Sequence, residues 1–418
     1  MVKWRRRTNP DTLIMALRPR IGLSSTQQIT FYGEYESILD ALYEKVEHSF
    51  NLDQDLLFNL FRDAVSEAFI EKSLSGKSTK DIILKKFKDK CNKKYCQLHK
   101  YVLITSISLK NTHSPEEKYI GSSTISFQKE IPQEYRIERE SILSKHPEIS
   151  SNEEDSFLFS CVTVDAPNSA TAILKALEIL DIIRALWQIG FRKSISILAN
   201  RNDQKYRTDS VIRIGKIYTL HSMSGLEVDQ NLWLDEGYRK SSAIKIENFD
   251  LTESLSKRQL ESIRNSSLED EINKALVGYI RALDSEQELR FMKLWAVLEQ
   301  LLGTDETEVI IKRISFFYAD RTFQKAVLES LRHARNTNAH VGKTPINLEF
   351  KNYQLCQYIE WILKVLIDDP FRLKSFNDLK ELTSSTTDSK SIEEQINILL
   401  TVQKFINANS VEHSSDIS

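Results

Sequence analysis

The residues best equipped for chemistry lie in one short stretch, Leu331-Arg-His-Ala-Arg-Asn-Thr-Asn-Ala-His340, with two Arg, two His and two Asn between positions 332 and 340. An imidazole exchanges protons near neutrality, its ordinary pKa being about 6.5. A guanidinium presents paired, planar donors that fit phosphate or carboxylate oxygens. Together they supply a proton-transfer group and a fixed cation for an oxyanion. The stretch follows a helical pattern carrying Phe323, Val327 and Leu331 and interrupts its apolar periodicity. Such polar density is poor core filler, because a buried polar group left unpaired costs about 1–3 kcal/mol. On a continuing helix His333, Asn336 and His340 share one face, being seven and four residues apart from the last. Arg335 stands five before His340, about 140° round the helix. The two converge only if the helix breaks near Asn338 or a second subunit supplies one of them.

Upstream, Phe291-Met-Lys-Leu-Trp-Ala-Val-Leu-Glu-Gln-Leu-Leu302 carries Phe291, Trp295, Leu298 and Leu302 at helical spacing, with Glu299 on the apolar face. A carboxylate there needs a partner, and Arg335 or Arg332 is the obvious choice. The set Arg335, Asn336, His340 resembles the signature of the HEPN superfamily, an Arg and a His separated by four to six residues with a polar residue directly after the Arg. The 291–302 segment is similar to the first long helix of the Apea-like HEPN group. The resemblance covers 268–369, about a quarter of the chain.

That resemblance implies a metal-independent endoribonuclease without cofactor, acting as a homodimer with the motif at the interface. His340 would be the general base or acid, and Arg335 would clamp charge on the pentacovalent phosphate. Asn336 would position phosphate or orient the histidine, with Glu299, Arg332 and His333 in support. Attack by the 2′-OH would leave a 2′,3′-cyclic phosphate and a 5′-OH, so RNA (tRNA among the candidates) would be cut and DNA spared. Many members are toxins or antiviral effectors, which implies an anti-phage role held silent until an N-terminal domain meets its trigger. The same residues admit blander readings. A cation and a histidine near a helix C-terminus favour the dipole. Glu299 can make a peripheral salt bridge between two helices. A catalytically inert bundle would serve dimerisation or interaction, and a nucleic-acid-binding regulator would show salt-dependent binding without cleavage.

Weaker signals lie in the first half. Lys85, Lys86 and Lys88 open a lysine-rich run that could guide RNA phosphates, although a solvated helix face is the commoner meaning of such a run. Cys91-x4-Cys96-x2-His99, with His113 beyond, offers zinc ligands at a non-standard spacing. A helix end leading into a strand explains them more simply, and no metal is assigned. Trp4 with Arg5, Arg6 and Arg7 would touch nucleic acid or a partner, or form a flexible arm. The sequence has no Walker loop, dinucleotide fingerprint, serine-hydrolase elbow or His-Glu-x-x-His helix.

The elements that must hold these residues follow from composition and pattern. The 418 residues suffice for two or three domains. The 57 Lys plus Arg against 59 Asp plus Glu, net −2, argue against a histone-like cationic coat. Only 11 Gly and 8 Pro occur, which favours long helices over sandwiches and propellers. The expectation is an α+β N-terminal domain over 1–262 that senses a trigger or holds substrate. An antiparallel helical bundle over 263–384 and a polar tail over 385–418 follow, the whole predominantly helical. Strands are expected at 101–109, 119–127, 157–164 and 211–220, and a helix from Ser78 or Thr79. The acidic stretch 141–155 reads as a loop, and the polar zone 254–267 lacks clear periodicity and marks the boundary. In the second domain helices are expected at 268–283, 285–302, 306–319, 322–334 and 353–367. Ser285 with Glu288 forms a capping box, and Gly303 is the stop signal for the second helix. One short helix near 392–405 and ten disordered end residues make up the tail. The apolar segment 170–189 bears Lys175, Glu178, Asp181, Arg184 and Gln188 as one polar stripe, so it reads as an amphipathic helix and not a membrane span. Four scattered cysteines suit a reducing, cytoplasmic setting.

Overall fold

The computed structural model describes residues 2–5, 8–23, 29–50, 52–71, 79–95, 97–147, 156–195, 208–223, 228, 231–235, 237–239, 241–341, 345–386 and 388–415. The chain is predominantly helical, at 61%, and carries one six-stranded sheet. It divides into two compact units, Met1–Leu180 with Arg213–Lys245, and Asp181–Ile212 with Ile246–Ser418.

The first unit opens with β1 (Val2–Trp4), α1 (Asp11–Leu17), β2 (Ile21–Leu23), β3 (Ile29–Phe31), α2 (Tyr35–Tyr43) and β4 (Val46–His48). β1 pairs antiparallel with β4, and β2 with β3. Trp4 therefore belongs to a strand and not to a flexible arm, while Arg6 and Arg7 lie outside the described residues. α3 (Gln54–Glu71) and α4 (Thr79–Tyr95) follow, and Phe61 meets Phe87 edge-on between them at 5.4 Å. Then come β5 (His99–Lys110), β6 (Lys118–Ile120), β7 (Ser123–Gln128), α5 (Gln133–Ser144), β8 (Phe157–Ala166), α6 (Ser169–Ile195), β9 (Ile217–Ser222) and β10 (Leu232–Leu234). The sheet runs β10-β9-β5-β8-β7-β6, antiparallel throughout. Residues 102–109 of β5 are all buried, as a central strand covered on both faces must be. The expected strand 119–127 is two strands, because Gly121 (φ +58°) and Ser122 form a two-residue hairpin turn. The fourth expected strand begins only at Ile217. Part of the stretch expected as a loop at 141–155 is the end of α5, and 148–155 lie outside the described residues.

Among the described residues the second unit takes α6 from Asp181 onward and eight further helices. These are α7 (Phe249–Arg264), α8 (Glu269–Asp284), α9 (Gln287–Leu302), α10 (Thr307–Phe316), α11 (Arg321–Val341), α12 (Leu348–Asp368), α13 (Phe376–Ser384) and α14 (Ser389–Ser415). The polar zone 254–267 is helical through Arg264, and the 262/263 boundary falls inside α7. Its periodicity is hidden because it buries Ser256 and Glu253 beside Leu260 and Ile263, with Trp187 Nε1 donating to Glu253 at 2.7 Å. α9 packs on α8 and α12 through Phe291, Leu294, Trp295 and Leu298, all at 1% exposure or less. The capping box does not form. Ser285 Oγ donates to the Arg281 carbonyl and accepts from Lys293, and the N-cap residue, Glu286, makes no side-chain cap hydrogen bond. Gly303 does end α9, at φ +62°, where an added Cβ would lie 2.3 Å from Lys380 Cε. The tail is helical through Ser415, well past 405.

Candidate functional site

α11 runs unbroken from Arg321 to Val341, seven residues beyond the expected end at Ala334. The break near Asn338 is therefore absent, and within one chain the positions of Arg335 and His340 stay about 140° apart round the helix. His340 lies on the helix, but its side chain is outside what the structure describes.

Arg335 Nη2 stands 3.5 Å from Glu299 Oε1 on α9, and Nη1 stands 3.4 Å from Asn336 Oδ1. Both contacts are long for a guanidinium, whose charge-assisted bonds are usually about 2.7–2.9 Å. Arg335 and Glu299 are part-exposed, at 29% and 23% of their side-chain surface. The buried Nε of Arg335 has no hydrogen-bond partner among the described residues. The structure thus brings together Glu299, Arg335 and Asn336. It sends Arg332 elsewhere, 2.6 Å from Glu329 and 3.6 Å from Glu308. His333 is exposed and lines a groove between α11 and α12 with Ile346 and Phe350.

In the first unit, Lys85 and Lys88 are exposed on α4, whereas Lys86 lies 3.5 Å from Glu67. Cys91 is fully buried in the α3–α4 core, its thiol pushed up to about 12 by burial, which removes it as a ready metal ligand. Cys96 lies outside the described residues, and His99 is exposed. Among the described residues no group of three or more His, Cys, Asp and Glu is placed to hold a metal ion.

Two clusters escaped the sequence reading. In the second unit Arg184 contacts Asp181 at 2.6 Å and Asp284 at 3.0 Å, and Arg281 Nε donates to Asp181 at 2.7 Å. Burial raises the Asp181 pKa against the pull of both guanidiniums. Arg184 also donates to the Ile212 carbonyl at 2.9 Å, Gln188 accepts from Val211 N at 2.7 Å, and Ser210 bonds Asp284. Arg290, 1% exposed, ties down Thr208 at 2.7 Å and Asp209. Five consecutive residues, 208–212, are thereby strapped to α6, α8 and α9. The polar stripe of 170–189 is buried at Asp181, Arg184 and Gln188. The signal was present: Asp181 and Arg184, and again Arg281 and Asp284, are opposite charges three apart in apolar runs.

In the first unit, fully buried His221 on β9 bonds Glu138 of α5 at 2.8 Å and Thr219 at 2.9 Å. Arg139 donates to Thr219 at 2.8 Å and to the Ile104 carbonyl at 3.2 Å, and the Tyr135 ring lies 5.3 Å away from the His221 ring. Burial lowers the His221 pKa, with Glu138 opposing and Arg139 assisting.

No family model matches the chain, and neither a curated protein nor a solved structure matches it. Among the described residues no helix is long and apolar enough to cross a membrane.

Proposed function

We propose that the helical unit is a metal-independent endoribonuclease of HEPN type. Arg335 clamps the scissile phosphate, His340 moves the proton of the 2′-OH, and Asn336 aligns one or the other. The observation that carries this reading is the state of Arg335. Arg184, a structural arginine of the same unit, is 1% exposed, with contacts at 2.6 and 3.0 Å. Arg335 is 29% exposed, held loosely at 3.5 and 3.4 Å, and keeps donors for an incoming oxyanion. Because α11 is continuous, one chain does not place Arg335 and His340 on one face. A homodimer joining Arg335 of one copy to His340 of the other completes the site. The biological role that goes with it is a cytoplasmic toxin or anti-phage effector, with the first unit receiving an unidentified trigger.

The Glu299–Arg335 ion pair favours a second reading, a bundle without catalysis whose α9 and α11 it ties together. The two separate in one experiment. Wild type and His340→Ala are incubated with total RNA and with tRNA in excess EDTA, and product ends are analysed. Fragments with cyclic-phosphate ends from wild type alone support the nuclease. Intact RNA from both, together with equal harmlessness on overexpression, supports the inert bundle.

A further inference from the structure

The groove between α11 and α12 has a volume of about 760 Å³, inside the range of about 300–1,000 Å³ usual for small-ligand sites. Ala326, Ser330 and Ala334 keep its α11 side shallow, while the α12 side presents the ring of Phe350, 38% exposed. Gln354 follows Phe350 by four residues, so an amide lies one turn from the ring. Lys351 Nζ reaches Ser330 Oγ on the opposite side at 3.4 Å, which sets an ammonium across the groove. Among the described residues that line it none is Asp or Glu, although the whole chain carries a net charge of −2. An aromatic face, an amide and a cation in one shallow slot suit a planar guest with a hydrogen-bonding edge and a negative charge. A nucleotide has all three, in its base and its phosphate.

The place of the groove on α11 assigns that nucleotide to a strand. His333 and Thr337 line the groove, and α11 runs on unbroken to Val341. Position 340 therefore continues the same stripe, about 20° round the helix from His333 and about 4.5 Å along the axis from Thr337. Arg335 is not part of that lining.

We infer that the groove seats one nucleotide of the RNA strand beside the bond to be cut. Its base stacks on Phe350, the base edge meets Gln354, and a phosphate oxygen meets Lys351. The inference rests on the nuclease reading and names what the site holds besides the scissile phosphate.

The test is fluorescence polarisation of the full chain with labelled single-stranded 2′-O-methyl RNA, which lacks the attacking hydroxyl and reports binding without cleavage. Wild type is compared with Phe350→Ala, Lys351→Gln and Phe371→Leu, with circular dichroism to confirm equal helicity. Phe371 is a 45%-exposed ring beyond the other end of α12. Phe350→Ala should bind about 5- to 150-fold more weakly, the worth of one base–aromatic stack. Lys351→Gln should flatten the slope of log affinity against log salt by about 0.7, one phosphate contact on a single strand. Phe371→Leu should match wild type. Equal affinity of Phe350→Ala and wild type overturns the inference, and so does a wild type that binds no oligonucleotide. Displacement of the strand by a mononucleotide at like concentration also overturns it, since the ligand is then a free nucleotide. The nuclease reading fails by a different result. Phe350-dependent binding by a chain that leaves RNA intact keeps the seat and removes the chemistry, whereas cleavage with unchanged KM in Phe350→Ala keeps the chemistry and removes the seat.

Discussion

Arg184 Nη2 lies 3.0 Å from both carboxylate oxygens of Asp284, one hundred residues further along the chain. Through Nη1 the same guanidinium holds Asp181, which in turn holds Arg281, so four charges alternate in sign. Asp284 and Asp181 outweigh burial in raising the Arg184 pKa, which keeps it cationic. Within this unit the arrangement fixes α6 to α8 and anchors the 208–212 strap. Arg184→Met removes one partner and leaves Asp181, 4% exposed, with Arg281 alone. A loss of about 3–5 kcal/mol is expected for breaking a buried pair in this way. Asp284→Asn should cost less, because that side chain is 35% exposed. Denaturant melts of the two variants read the order directly, and equal losses would contradict it.

Arg335 is the opposite case, and its substitution should touch activity and spare the fold. Arg335→Lys keeps the charge but loses the planar fork that pairs with two phosphate oxygens. RNA cleavage should fall about 10²-fold, the scale for removing one transition-state donor. The melting free energy should change by no more than about 1 kcal/mol, because part-exposed pairs contribute little. Unfolding in proportion to lost cleavage would mark Arg335 as a structural tie.

His221 gives the first unit a pH dependence. Its pKa in the folded chain is below the ordinary value near 6.5, so the unfolded chain takes up a proton that the folded chain resists. Its contribution to stability is complete above about pH 6.5 and is lost as the pH falls toward the folded value. Glu138, 40% exposed, moderates the effect but does not reverse it. His221→Gln can still bond Glu138 and Thr219 but does not titrate. The drop in melting temperature between about pH 7.5 and about pH 5 should be smaller in the variant than in wild type. Parallel curves would place the titration on other groups.

What the sequence disclosed and what it hid divide along physical lines. Helices α8, α9, α10 and α12 of the second unit were legible because each carries one apolar stripe at 3.6-residue spacing, and Gly303 and Pro370 punctuate α9 and α12. Glu299 meeting Arg335 was legible because a carboxylate on an apolar face requires a cation. The strap at 208–212 was not, since its anchors come from three helices far apart in sequence. Helical periodicity also misread Asp181 and Arg184: a polar stripe looks the same whether it meets water or buried counter-charges. The length of α11 was masked for a related reason. Between Arg332 and His340 the helix carries polar groups where its apolar stripe would continue, so only backbone bonding reveals that it goes on to Val341.

That continuity yields the sharpest test of the proposed site. If Arg335 and His340 act from different copies, chains carrying Arg335→Ala and chains carrying His340→Ala are each inactive alone but repair one another when mixed. In a mixed pair, Arg335 of the second chain faces His340 of the first, and one of the two sites is whole. Random exchange makes half the pairs mixed, so about a quarter of wild-type activity should return. If both residues act from one chain, α11 must break in the active state and mixing restores nothing. The measurement is the rate of cyclic-phosphate formation after equal amounts of the two variants are unfolded and refolded together, against each refolded alone.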